Sequence, residues 1–250
     1  MPLQKCCKGN KVLLVCLNDS FSIKKISVTI KTHMNQEVIE FQLYGLTLQE
    51  PMAIVTNWLM SFFSLYALFK IRKVTDVDVM WWKRFFLSFS IAAFLGGLGH
   101  LFFHYFGIPG KFPNWVFTIL SGFCAGFAVL VHYPNEVQKK KLGIFILVKG
   151  FILLLLAVFF REFIFIAIDS ILTYIIFCGI IARKIYKLGR TEMRFMYYGV
   201  LLCLPSIFIF FFKINLHRFL NKDDISHLLM LVCLMFFYKS VKERSVKSNL

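Results

Sequence analysis

Between about residues 51 and 241 the chain reads as seven apolar runs separated by short polar breaks, at about 51–70, 85–107, 115–133, 142–160, 163–182, 195–212 and 225–241. Nothing else in the sequence restricts the fold as much. A helix needs roughly 20 apolar residues to cross about 30 Å of hydrocarbon, and these runs approach or exceed that length. None has the alternating ten-residue pattern of a membrane-barrel strand. The runs therefore predict an all-α membrane protein, a single bundle of seven transmembrane helices over residues 50–241. Composition agrees, since 58% of the 250 residues are hydrophobic and 18% are aromatic, whereas a soluble domain is roughly 45–50% apolar.

The net charge of +16 is not a nucleic-acid footprint, because the basic residues lie in short clusters between apolar runs, where membrane orientation accounts for them. Lys70, Arg72, Lys73, Lys83 and Arg84 separate the first two runs. Lys139, Lys140 and Lys141 precede the fourth, Arg183, Lys184, Lys187, Arg190 and Arg194 lie between the fifth and sixth, and Lys239, Lys242, Arg244 and Lys247 close the last. The opposite loops are poorer, with Lys111, the Arg161–Glu162 pair, and Lys213, Arg218 and Lys222 set against Asp223 and Asp224. The positive-inside rule then predicts a cytosolic C-terminus with a basic tail over 242–250, and an N-terminus outside or in a lumen. An integral protein of the endomembrane system or plasma membrane is expected. Only Arg161 and Glu162 divide runs four and five, which predicts a tight hairpin.

Residues 1–49 read as a polar segment without stable order. KVLLVCLNDSF is too short to span, ISVTIKT alternates like a strand with no evident partner, and Met34 offers an alternative start. The seven cysteines have no zinc-finger or redox spacing.

Ionisable side chains at membrane depth are costly, so they mark function or pairing. The predicted topology brings Glu50, Asn57, His100, His104, Asn114, Asp169, Ser170, Thr173, Asp223, Asp224, Ser226 and His227 toward one leaflet, the outer one. In LGGLGHLFFHYFG, His100 and His104 lie one helical turn apart, and Asp223 and His227 repeat that spacing. Imidazole and carboxylate suit zinc, and a zinc-bound water of pKa about 7 supplies hydroxide for hydrolysis. The same residues serve equally as hydrogen bonds between helices, so spacing leaves both readings open. Lys149, near the middle of run four, is read as snorkelling or as facing a carboxylate.

Three short motifs bear on that choice. EPMAIVTN sets Glu50 seven residues ahead of Asn57, LGGLGHLFFH carries Phe103 and His104 near the end of run two, and DISHLLM opens run seven with His227, Leu228, Leu229 and Met230. In these stretches the chain resembles the superfamily of seven-span membrane hydrolases that includes alkaline ceramidases and the progestin and adipoQ receptors. Their first span starts with a Glu followed seven residues later by Asn, their second ends in G-x-G-S-x-x-F-H, and their seventh opens with H-x-x-x-H-L-L-M. The resemblance implies zinc held by one histidine of span two and two of span seven, with serine and aspartate nearby to handle the water. Carried over, His104 and His227 take ligand positions. His100 stands where the serine is expected, Asp223 stands where the first span-seven histidine is expected, and FPNW offers no counterpart of the aspartate that follows span two.

Two outcomes fit these departures. In one, a rearranged zinc site uses His100, His104 and His227 as ligands and Asp223 or Asp224 as fourth ligand or general base. Glu50, Asn57, Asp169 and Ser226 support it, and it hydrolyses an amide bond in a sphingolipid or another acyl-chain lipid. In the other, the bundle holds no metal and acts as a receptor, scaffold or transport-like protein. Membrane lipids are the expected partners in both.

Overall fold

The computed structural model describes residues 6–8, 11–14, 26–33, 36–71, 76–217 and 220–247. Among the described residues, seven helices are long and apolar enough to cross a membrane: Pro51–Lys70, Val77–Leu101, Ile108–Leu130, Glu136–Phe160, Ile164–Lys187, Met193–Phe211 and Lys222–Val246. These are spans one to seven of an all-α, multi-pass bundle. Short connections make successive spans antiparallel, so odd-numbered spans begin, and even-numbered spans end, at the same end of the bundle.

Several boundaries differ from those read by hydropathy, among them the starts of spans three and four, at Ile108 and Glu136, and both ends of span two. Span two starts at Val77, not near 85, because the charges of its first turns are met locally. Asp78, 3% exposed, accepts from His132 Nε2 at 2.8 Å and from Arg244 Nε at 3.2 Å. Arg84 lies over the Trp81 ring at 4.6 Å. The helix also ends at Leu101 and not near 107. Phe102 leaves helical geometry at φ −99°, Phe103–Phe106 forms a separate turn, and Gly107 takes φ +54°, a value open to glycine because it lacks a Cβ.

Arg161 makes the hairpin between spans four and five, with φ +57° and the Glu162 N–H donating to Ala157 O at 3.1 Å. The core is aromatic and lies toward the basic end, where Trp82, Phe85, Phe86, Phe177 and Phe237 are fully buried. Phe69, Phe145, Phe151 and Phe159 are exposed, as lipid-facing side chains of a spanning bundle are.

The segment ahead of span one, expected to lack order, forms a five-stranded antiparallel sheet in sequence order. Its strands are β1 (Cys6–Lys8), β2 (Lys11–Leu14), β3 (Ile26–His33), β4 (Gln36–Leu43) and β5 (Leu46–Gln49). The partners that ISVTIKT lacked are β2, with Val12 opposite Val28, and β4, with Ile30 opposite Ile39. Adjacent Val38 and Ile39 interrupt the alternation in QEVIEFQL, which hid that strand. Tyr44 and Gly45, at φ +54° and +82°, make the tight turn from β4 to β5. The alternative start at Met34 lies outside the described residues. Strand β5 leads directly into Glu50, whose N–H donates to Ile39 O at 3.0 Å. The Thr47 N–H donates to Tyr105 Oη at 2.9 Å, fixing the sheet to the turn after span two.

Candidate functional site

The polar residues that cap the sheet end of the bundle are set by three helix termini. At the head of span one, the Glu50 carboxylate bonds His100 Nδ1 in the last turn of span two. Burial raises the Glu50 pKa, but the His100 hydrogen bond and the charges of His100, Lys111 and Lys222 outweigh it and bring the group down to about 2. At the head of span seven, Asn221 acts as a cap, its Oδ1 accepting from the N–H groups of Asp223 at 2.8 Å and Asp224 at 3.1 Å. Both aspartates thus occupy the first helical turn, where the positive end of the helix dipole favours carboxylates.

The two then diverge. Asp224, 1% exposed, points inward and accepts from Asn221 N–H at 3.2 Å and from the Thr56 hydroxyl at 3.3 Å. Asp223 pairs with Lys222 Nζ at 2.8 Å and lines a cavity. One turn further, His227 Nδ1 lies 3.1 Å from Thr56 Oγ1 and 3.3 Å from Asn57 Nδ2. Asn57 Nδ2 also donates to Ala53 O at 2.8 Å, which fixes the amide's orientation. An N–H therefore faces Nδ1, so that nitrogen is an acceptor and the ring proton resides on Nε2.

Gly96 allows these groups to gather. A Cβ at that position would lie 2.9 Å from Asn114 Nδ2 and 3.1 Å from Asn57 Oδ1, so only a bare backbone lets both amides close over span two.

Below this polar cap is an interhelical cavity of about 190 Å³, lined by every span except the fourth. Asn57, Asn114, Asp223 and His227 border its head, while Met60, Phe89 and Met230 wall its depth. Phe89 is eleven residues from His100, about 16 Å along span two. The arrangement offers an imidazole, a carboxylate and two amides to a polar group, and an apolar slot to whatever is attached to it.

Of the residues singled out from the sequence, Glu50, Asn57, His100, Asp223, Asp224, Ser226 and His227 come together at this end. His104 does not join them, because the helix breaks at Phe102. It is exposed on the Phe103–Phe106 turn, edge-on to Tyr105 at 5.0 Å. Asp169 also belongs elsewhere. It is 1% exposed and faces Lys149 of span four, whose Nζ donates to the Asp169 carboxylate, to Asp169 O at 3.0 Å and to Thr173 Oγ1 at 2.9 Å. Thr56 and Asn221 were missed by sequence reasoning. The NKDD run carries the capping signal for Asn221, whereas Thr56 has no signal beyond its place beside Asn57.

A zinc set of His100, His104 and His227 does not fit this arrangement. His100 Nδ1 is taken by Glu50, His104 sits on another turn, and among the described residues no group of three His, Cys, Asp or Glu side chains is placed to hold a metal ion.

No curated protein and no solved structure matches the chain. A family profile does match, over residues 52–246, nearly the whole seven-span bundle. The chain belongs to DUF6962, a family of unknown function.

Proposed function

We propose that the protein is a membrane receptor or carrier for a single-chain amphiphile, an acyl amide or a close relative, held in the interhelical cavity. The observation that carries this reading is the union in one cavity of the His227 imidazole and the Asp223 carboxylate with walls from Met60, Phe89 and Met230. A ligand amide has both an acceptor for the imidazole N–H and a donor for the carboxylate, and its chain gains by leaving lipid only if the slot packs closely around it. The resemblance to alkaline ceramidases, in Glu50, Asn57 and the HLLM run from His227, supports an acyl amide as the ligand class. It also implied zinc-dependent hydrolysis, but the donor set does not fit that chemistry. The Lys and Arg excess at the opposite end supports a cytosolic C-terminus, which directs the cavity's polar head toward the outer or lumenal leaflet of a plasma or endomembrane.

The test is binding of N-acylethanolamines of increasing chain length to purified protein in neutral detergent. Affinity rises with chain length and falls about tenfold in His227→Ala, the loss of one good hydrogen bond. Ala167→Phe, which fills the slot, abolishes binding. Equal binding by wild type and both variants overturns the reading.

A further inference from the structure

Near its basic end, span five leaves α-helical pairing. Tyr174–Ile181 forms a π-helix, and Ala182–Lys187 returns to α-helix. Helical stretches of this kind recur at functional sites. Beside this one, between spans five and six, lies a groove of about 340 Å³. It opens at the basic end, opposite the polar head of the cavity described above, and the two are backed by adjacent residues of span five, Tyr174 lining the cavity and Ile175 the groove.

The groove changes character with depth. Arg183, Lys184 and Lys187 stand at its rim, all exposed, and Arg183 and Lys187 share one helical face by their four-residue spacing. Gly179, Val200 and Leu204 line it further in. On span six, the stretch from Tyr197 at the rim to Leu204 runs about 10 Å toward the bundle's middle. The rim cations are not equivalent. Lys184 Nζ donates to Tyr133 Oη at 3.2 Å and is thereby committed. The Arg183 guanidinium lies over the Tyr197 ring at 5.3 Å, which orients it without neutralising it. Among the described residues, no acidic side chain lines the groove and no carboxylate pairs with Arg183 or Lys187.

A second groove at this end, about 650 Å³ between spans two, three and four, has Lys139 and Lys140 on its rim. There Glu136 also lines the groove and pairs with Lys139 at 3.1 Å, so part of the charge is answered internally. The first groove differs in having two uncompensated cations at the membrane boundary above an apolar trough.

We infer that this groove is a binding site for an anionic phospholipid of the adjoining leaflet, its phosphodiester on Arg183 and Lys187 and one acyl chain along Gly179, Val200 and Leu204. A basic rim at the headgroup level with apolar walls beneath reproduces the order of phosphate and chain in a bilayer lipid. The volume admits the phosphate and the first carbons of one chain, and the rest of the lipid stays in the bilayer.

Lipid retention, followed by native mass spectrometry and by thermal shift in neutral detergent, tests the site with phosphatidylglycerol. Phosphatidylcholine of the same chains and soluble glycerol 3-phosphate are the controls. Wild type retains phosphatidylglycerol over phosphatidylcholine, and Arg183→Gln/Lys187→Gln weakens that retention about thirtyfold, the effect of two charges near a membrane surface. Both side chains are exposed, so the variant folds, and Arg183→Lys/Lys187→Arg keeps the binding. Lys139→Gln/Lys140→Gln keeps it too. Equal retention by wild type and the Gln pair, no preference over phosphatidylcholine, or equally tight binding of glycerol 3-phosphate overturns the inference.

Discussion

Lys149→Met removes one half of the pair that joins spans four and five. Asp169 and Lys149 are 1% and 8% exposed, so neither reaches solvent. Asp169 Oδ2 already has no hydrogen-bond partner, and Oδ1 depends on Lys149. Thr173 cannot take over, because its hydroxyl donates to Asp169 O at 2.8 Å. Breaking a buried pair from one side costs about 3–5 kcal/mol, since the remaining charge stays buried and unmet. At about 2–4 °C per kcal/mol for a chain of this size, the unfolding midpoint falls by roughly 6–20 °C. Thermal unfolding of purified protein in mild detergent, followed by tryptophan fluorescence, measures this. The double variant Lys149→Met/Asp169→Leu replaces the pair with apolar groups of similar volume and recovers to within about 1 kcal/mol of wild type. A single variant within about 2 °C of wild type, at odds with the roughly 6 °C minimum, or a double variant no better than the single, refutes the reasoning.

Three further outcomes follow from the site. Gly96→Ala puts a methyl within 2.9 Å of Asn114 and 3.1 Å of Asn57, so it costs about 1–3 kcal/mol by overpacking and weakens N-acylethanolamine binding. Unchanged stability and binding would show that the amides move aside freely. Glu50 is held at about 2 against an ordinary 4.5, a depressed value, so its contribution of about 3 kcal/mol is complete above pH 4.5 and is lost as pH falls toward 2. The stability gap between wild type and Glu50→Gln should therefore close over that window, and a gap independent of pH refutes the assignment. Protein purified without chelators should contain no stoichiometric zinc. About one zinc per chain, lost in His100→Ala/His227→Ala, would mean that the site rearranges to take the metal.

The spans were legible because each must hide its backbone from lipid, and a run of apolar side chains about 20 residues long is the only way to do so. The alternation of basic and poorer loops likewise fixed which polar residues share an end. What escaped the sequence was local geometry and long-range pairing. His104 sits in an unbroken apolar run, and only the conformations of Phe102 and Gly107 show that the helix has already ended. Asp169 looked like a member of the histidine cluster by depth, but nothing in the sequence marks Lys149, twenty positions away, as its partner. The spacing of Asp223, Asp224 and His227 was plain. That Asp224 would turn to Thr56 while Asp223 faced the cavity depends on the rotation of span seven against span one, which hydropathy does not encode.

The bond between Arg244 and Asp78 also has a consequence for the order in which the molecule is made. Asp78 is buried near the start of span two, and Arg244, which also reaches Asp76 at 2.6 Å, lies in the last turns of span seven. During synthesis, span two enters the membrane more than 160 residues before its cation is translated. Until then, His132 is the main group available to answer that carboxylate. The bundle therefore cannot reach its final packing span by span as the chain emerges. Its basic end closes only when the final helix docks, and ribosome-stalled chains ending before Arg244 should remain open to proteases and to the quality control that removes unfinished membrane proteins.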